Sequence, residues 1–289
     1  MNKLISELQR LYFLPGQQWH SQQLDDSGKP ACSAEGALTT AIVASSLEGK
    51  QTIALQLVSA DGMARAMVMS FKKPDDWDKV ANLYQALQDE LDLPAPAVSI
   101  SGRKGCRLWF SLAEPVPVAL TRGFLDALRR KYLAEITAVN FQLQPATGQA
   151  ICKLAPALHA ATGKWSAFID PSMGAMFIAE PGLEMAPNMG RQADLLAGLK
   201  SIKAGDLQRA LNVLQTAAEP AGSPDLTPAE GAARVPDTAS GPPPARLNVG
   251  TDYSDPKSFL LAVMNDASAS ARQRIRAAKA LLPYFCAPS

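Results

Sequence analysis

The sequence predicts an α+β protein. Three observations carry this reading: short apolar runs bounded by turn residues, long amphipathic stretches of helical spacing interleaved with them, and a composition suited to a buried core. The chain has 289 residues, 47% of them hydrophobic, enough for one sizeable core plus a smaller module. No apolar run approaches the roughly 18 residues of a membrane span, and Met1 to Glu7 lacks the apolar centre of a secretory signal. Cys32, Cys106, Cys152 and Cys286 lie far apart with no C-x-x-C pair, which argues against a zinc site or disulfide framework and for a reducing cytoplasm. The net charge is only +1, so any contact with nucleic acid has to come from a local patch.

Apolar residues at Leu4, Ile5, Leu8, Leu11 and Tyr12 predict a first helix that ends at Pro15-Gly16. The polar stretch around Asp25 to Pro30 reads as loop. Ala37 to Ala44, Gln51 to Val58 and Ala64 to Phe71 are then expected to form an antiparallel meander, with the Asp61-Gly62 pair as a hairpin turn. A helix opens at Pro74-Asp75-Asp76 and carries Trp77, Val80, Leu83, Tyr84, Leu87 and Leu91 on one face; the two acids suit its N-terminal end. Strands at Ala97 and Leu108 follow, then a helix from about Pro117 to Leu133. Strand, helix, strand, strand, helix is an order that suits an α+β core.

Between the strands at Ala97 and Leu108 runs Ser101-Gly102-Arg103-Lys104-Gly105-Cys106-Arg107-Leu108-Trp109. Two glycines permit positive φ and close approach of a ligand to the backbone, while Arg103, Lys104 and Arg107 supply charged donors suited to phosphate. From Ser101 to Ala134 seven basic residues, Arg129 and Arg130 among them, face only Glu114 and Asp126, a local charge of +5. A backbone-binding groove and a solvated helix face are the two readings of that cluster. The nine-residue stretch resembles the second motif of the archaeo-eukaryotic primase, or primase-polymerase, superfamily, S-G-x-[RK]-G-x-H-x-W, with Arg107 in the position of the motif's His. The resemblance implies that Ser101 and the residue at 107 lie against the triphosphate of a nucleotide.

The resemblance also implies a pair of metal-binding carboxylates at a strand end ahead of a helix, and a third acid later in the core. Two metals about 4 Å apart activate a hydroxyl and neutralise pyrophosphate. The corresponding strand ends Met69-Ser70-Phe71-Lys72, so Ser70 and Lys72 stand at the expected pair, and Asn140 or Gln142 stands at the third position. A lysine there repels divalent cations, so no catalytic residue and no metal is expected; Mg²⁺ or Mn²⁺ enters only if Asp75 or Asp76 acts as a displaced ligand. The stretch Ile151 to Asp170 resembles a segment of mobile-element primases, a strand, a His and a T-G-[KR] turn, and makes Lys153 and His159 candidate contacts to nucleotide or template. The resemblance covers about residues 35–180.

Four parts are expected: a degenerate primase-polymerase-like domain over 1–190, a helical appendix over 191–218, a Pro-rich flexible linker over 219–250, and a C-terminal helical hairpin over 251–289. The appendix is expected as two helices, Asp194 to Lys203 and Asp206 to Ala217. The linker follows from seven prolines and no aromatic residue between Glu219 and Arg246. The tail resembles segments of phage and plasmid proteins, including some terminase small subunits. It is too short for its own core, so it is expected to dock on a protein partner, on a second copy or on the main domain. The whole reads as a catalytically inactive primase-polymerase fold that binds nucleic acid, DNA ahead of RNA, in replication or regulation of a plasmid, phage or integrative element. An active primase-polymerase with displaced ligands and a protein-interaction adaptor are the alternatives.

Overall fold

A computed structural model of the chain describes residues 1–21, 23–24, 30–31, 35–146, 151–216 and 256–265, together with Arg274 and Ala278. They belong to two units, Met1–Ser223 and Pro224–Ser289. In chain order the first unit has α1 (Asn2–Tyr12), β1 (Gln18–Ser21), β2 (Gln23–Leu24), β3 (Pro30–Ala31), β4 (Glu35–Ala37), α2 (Thr40–Leu47), β5 (Ile53–Gln56), β6 (Met63–Phe71) and α3 (Trp77–Asp89). It continues with β7 (Ala97–Ile100), β8 (Cys106–Pro117), α4 (Val118–Tyr132), β9 (Phe141–Gln144), β10 (Ile151–Lys153), β11 (Ala157–His159), β12 (Lys164–Ile169), α5 (Met189–Ala197) and α6 (Ala204–Thr216). The fold is α+β, with antiparallel sheets and packed helices.

A six-stranded sheet in the order β11-β12-β7-β8-β6-β9 forms the centre, and a four-stranded sheet, β10-β5-β1-β4, lies beside it. Side chains alternate across the central sheet. On one face Met67, Met69 and Phe71 of β6 and Leu108 and Phe110 of β8 are buried with residues of α3, α4 and α6. On the other, Ala66, Val68, Trp109 and Phe168 are buried with α1, α2 and β5. There the rings of Tyr12, Trp109 and Phe168 meet at 5.4, 6.0 and 6.4 Å between centroids, within the range of favourable aromatic pairs. Trp109 Nε1 donates to Ser99 Oγ at 2.9 Å, which satisfies both buried groups.

The expected meander does not form. The run after Ala37 is helical, because the Thr39 hydroxyl accepts from the Ile42 amide and caps α2, and Val43 and Leu47 are buried from that helix. A short apolar run without a cap signal reads equally as strand or helix, and here the cap decides. β5 and β6 then part into different sheets, and at the Gly62 turn the Val58–Ala64 bridge and the Ser59 amide's bond to the Met63 carbonyl join the two sides. β1, whose polar sequence gave no strand signal, pairs β5 with β4. α5 starts at Met189 rather than Asp194, because Asn188 caps it by accepting from the amides of Gly190 and Arg191. The break before α6 falls at residues 198–203, where Ile202 bridges in parallel to Leu112. In the second unit α7 (Pro256–Asn265) is described. The linker at 219–250 and most of the expected second C-terminal helix lie outside the described residues.

Candidate functional site

The basic loop is built by its two glycines and one serine. Gly102 and Gly105 hold φ of 74° and 69°. A Cβ on Gly105 would stand 1.9 Å from the Phe71 carbonyl oxygen, so no other residue fits where this loop crosses the end of β6. Ser101 Oγ accepts from the amides of Arg103 and Lys104 and donates to the Lys104 carbonyl at 2.7 Å. Its one proton is thus committed inside the turn. Thr162 donates to the Gly102 carbonyl at 2.7 Å, and the Gly102 amide donates to Pro181. The T-G-K turn therefore braces the basic loop, a role that its sequence did not announce.

The strand pairing brings the remaining residues to the same place. Ser70 on β6 stands opposite Gln142 on β9 and Arg107 on β8. Ser70 and Arg107 lie on the face that buries Val68 and Trp109 two residues further along each strand. Past the cover of that core the same face opens into a cleft of about 400 Å³. Ser70, Phe71, Lys72, Ser101, Arg103, Lys104, Cys106, Arg107, Gln142, Lys153 and His159 line it. Five are Lys or Arg, none is Asp or Glu, and none of the five joins a salt bridge among the described residues.

Unbalanced charge of this kind shows in the titrating groups. Burial lowers the Lys153 ammonium, and the nearby charges of Arg107 and Arg103 lower it further. Burial also holds His159 below its ordinary value, followed by Lys153 and Arg103; its Nδ1 is buried without a hydrogen-bond partner. The Arg107 guanidinium donates to the Lys153 carbonyl at 3.2 Å, and Lys72 Nζ donates to the Val139 carbonyl at 3.1 Å. Burial, reinforced by the charge of Asp76, pushes the Cys106 thiol up to about 12, which disfavours its thiolate near neutral pH.

The structure thus gathers Ser70, Lys72, Ser101, Arg103, Lys104, Arg107, Lys153 and His159 around one cleft. Arg129 and Arg130 do not join them. Both stand on α4, which packs on the opposite face of the central sheet. Arg129 lines a second groove with Arg122 and Asp126 and lies 6.0 Å from the centre of the Phe141 ring, while Arg130 is exposed and lines neither. Gln142 borders both cavities because β9 is the sheet edge. Of the two residues read at the third acidic position, Gln142 faces the cleft. The side chain of Asn140 turns to Thr137. Asp75 is exposed and Asp76 is packed at the start of α3; neither lines the cleft.

This geometry meets an independent sequence relationship. Residues 17–147 match the family described as TOTE conflict system, Archaeo-Eukaryotic Primase domain. The matched span holds Ser70, Lys72, the basic loop and Gln142, while Lys153 and His159 lie beyond it. Among solved structures the chain is similar to the archaeo-eukaryotic primase domain of the primase-polymerase of cyanophage S-2L. The identity is 15% and the TM-score 0.42, over 68% of this chain and 97% of that one. It is also similar to the polymerase domain of ligase D from Mycobacterium tuberculosis, whose structure is a complex with DNA. There the identity is 15% and the TM-score 0.41, over 73% of this chain and 89% of that one. No curated protein matches the chain.

The primase resemblance implies a divalent-metal centre, and the residues read from it at that centre do not fit one. Ser70, Lys72 and Gln142 offer no carboxylate, and an ammonium beside the site opposes a dication. Among the described residues no group of three or more His, Cys, Asp and Glu comes together to hold a metal. The cleft is lined by five Lys and Arg side chains and by no carboxylate.

Proposed function

We propose that this chain is a non-catalytic member of the archaeo-eukaryotic primase superfamily that binds nucleic acid by its phosphates, serving replication or regulation within a mobile or conflict element. One observation carries the reading: the cleft at Ser70, Lys72, Arg107 and Gln142 is lined by five cations and by no acid. Such a surface gains from phosphate, since guanidinium and ammonium donors form charge-assisted hydrogen bonds to its oxygens. It lacks the carboxylates that phosphoryl transfer would require. DNA is the favoured ligand, and the segment 251–289 is assigned to a protein partner or a second copy.

Two measurements test this together. A labelled oligonucleotide should bind the purified chain, with affinity falling steeply as salt rises. Template, nucleotides and Mg²⁺ or Mn²⁺ should yield no incorporation. Robust templated synthesis abolished by Asp75→Ala or Asp76→Ala would establish the enzyme instead, and the absence of any salt-sensitive complex would favour a protein-interaction adaptor.

A further inference from the structure

β9 ends the central sheet and pairs there with β6 alone. Ser70 stands opposite Gln142, and in the same register the Lys72 amide donates to the Asn140 carbonyl at 2.8 Å, so the ladder uses the backbone groups of residues 140, 142 and 144. An antiparallel ladder uses alternate residues. The Leu143 amide and carbonyl and the Phe141 carbonyl therefore point away from β6, and none of the three has a hydrogen-bond partner among the described residues. No proline or charged side chain within Phe141 to Gln144 blunts this edge.

α4 runs beside the edge in the opposite direction. Arg129 lies 6.0 Å from the centre of the Phe141 ring, where β9 begins, and Arg122 donates to the Ala146 carbonyl at 2.9 Å, just past its end. Between them is the groove of about 310 Å³, with Leu125, Phe141 and Leu143 in its lining. Neither arginine joins a salt bridge among the described residues, and Arg122 Nε is buried there without a hydrogen-bond partner. Asp126, exposed, stands between the two on the helix, so a guest acid suits either end of the groove and an apolar side chain suits its middle. We propose that β9 and this groove take an extended peptide of a partner protein as an added strand, bearing acid, apolar residue and acid at alternate positions. Alternate side chains of a strand share one face. Acids four residues apart on that strand span about 13 Å, and the arginines, seven apart on α4, about 10 Å. Nucleic acid has no row of amides and carbonyls to pair with such an edge. The groove and the phosphate cleft lie on opposite faces of the central sheet, so this proposal does not rest on the cleft's ligand.

The test uses the full chain and a fluorescein-labelled peptide, Thr-Glu-Thr-Val-Thr-Glu-Thr, followed by anisotropy. Binding is expected, and Arg129→Glu should weaken it about tenfold. One of the two peptides with a single Glu replaced by Lys should recover the affinity on that variant, which also shows that the variant is folded. N-methylation removes one backbone donor from the peptide and leaves the protein untouched. Placed on the Val it should abolish binding of an antiparallel guest, and on the Thr that follows it, of a parallel one. Arg107→Ala should leave the affinity unchanged. The proposal is overturned if the peptide does not bind at millimolar concentration, if binding survives both methylations, or if Arg107→Ala abolishes it and Arg129→Glu does not. A dimer of the parent in light scattering that Arg129→Glu disperses would give the edge to a second copy and overturn it as well.

Discussion

The guanidinium of Arg107 donates to the backbone carbonyl of Lys153 at 3.2 Å, across 46 positions of sequence. The contact joins the central sheet to the edge strand of the smaller one, and it draws a second cation against the first. His159 stands in the field of both, and its ring is held below its ordinary pKa by burial, then by Lys153 and Arg103.

That arrangement fixes the direction of a pH effect. A bound phosphate offsets those cations and raises the His159 pKa, so binding takes up a proton and affinity should rise as pH falls through the ordinary histidine range toward the lowered value of the free protein. In the free protein the sign is reversed. The depressed folded pKa means that the His159 contribution to stability is present above the ordinary histidine range and is lost as pH falls through the folded value. Oligonucleotide binding measured across this range, compared between the parent and His159→Gln, checks the first; the variant should show a flatter profile.

Five cations converging on phosphate predict a strong response to salt. For a single strand the slope of log affinity against log salt should be about −3.5, near −0.7 for each contact, and Arg107→Ala should reduce its size by about 0.7. Fluorescence anisotropy at four or five salt concentrations measures both. Arg130→Ala, on the exposed face of α4, should leave the slope unchanged.

Gly105→Ala tests how the loop is built. The added methyl would overlap the Phe71 carbonyl at a backbone φ of 69°, where side chains are already strained. The expected loss is about 3 kcal/mol or more of unfolding free energy, read from chemical denaturation, together with loss of oligonucleotide binding. Gly163→Ala, also at positive φ but in open space, should cost only about 1 kcal/mol.

Tyr12 supplies a control inside the core. Its ring is 1% exposed and stacks on Phe168, and its hydroxyl is buried without a partner. An orphaned buried hydroxyl costs stability, so Tyr12→Phe should raise unfolding free energy by about 1 kcal/mol and leave binding unaltered. A destabilised variant in thermal melts would show that the hydroxyl is satisfied after all.

The sequence by itself determined the α+β class, the helices α1, α3, α4 and α6 to within a few residues, and the basic loop with its two obligatory glycines. Each is a local property: helical spacing of leucines, a turn dipeptide, a cation pair between glycines. It also read Ser70 and Lys72 at a strand end ahead of a helix, and β6 does end at Phe71, ahead of α3. Only the tertiary structure decided the rest. Whether the run after Ala37 is strand or helix turned on one hydroxyl, Thr39 on the Ile42 amide, and the parting of β5 from β6 into two sheets depends on partners far along the chain. Gln142 was separated from Asn140 by register against Ser70, which no local pattern encodes. Arg129 and Arg130 looked like part of the same basic segment as Arg107, yet a sheet stands between them, since charges near in sequence need not share a face. The cleft itself is a product of non-local pairing: Lys153 and His159 reach it from β10 and β11, more than 40 positions after Arg107, and their proximity to Arg107 exists only once both sheets are assembled.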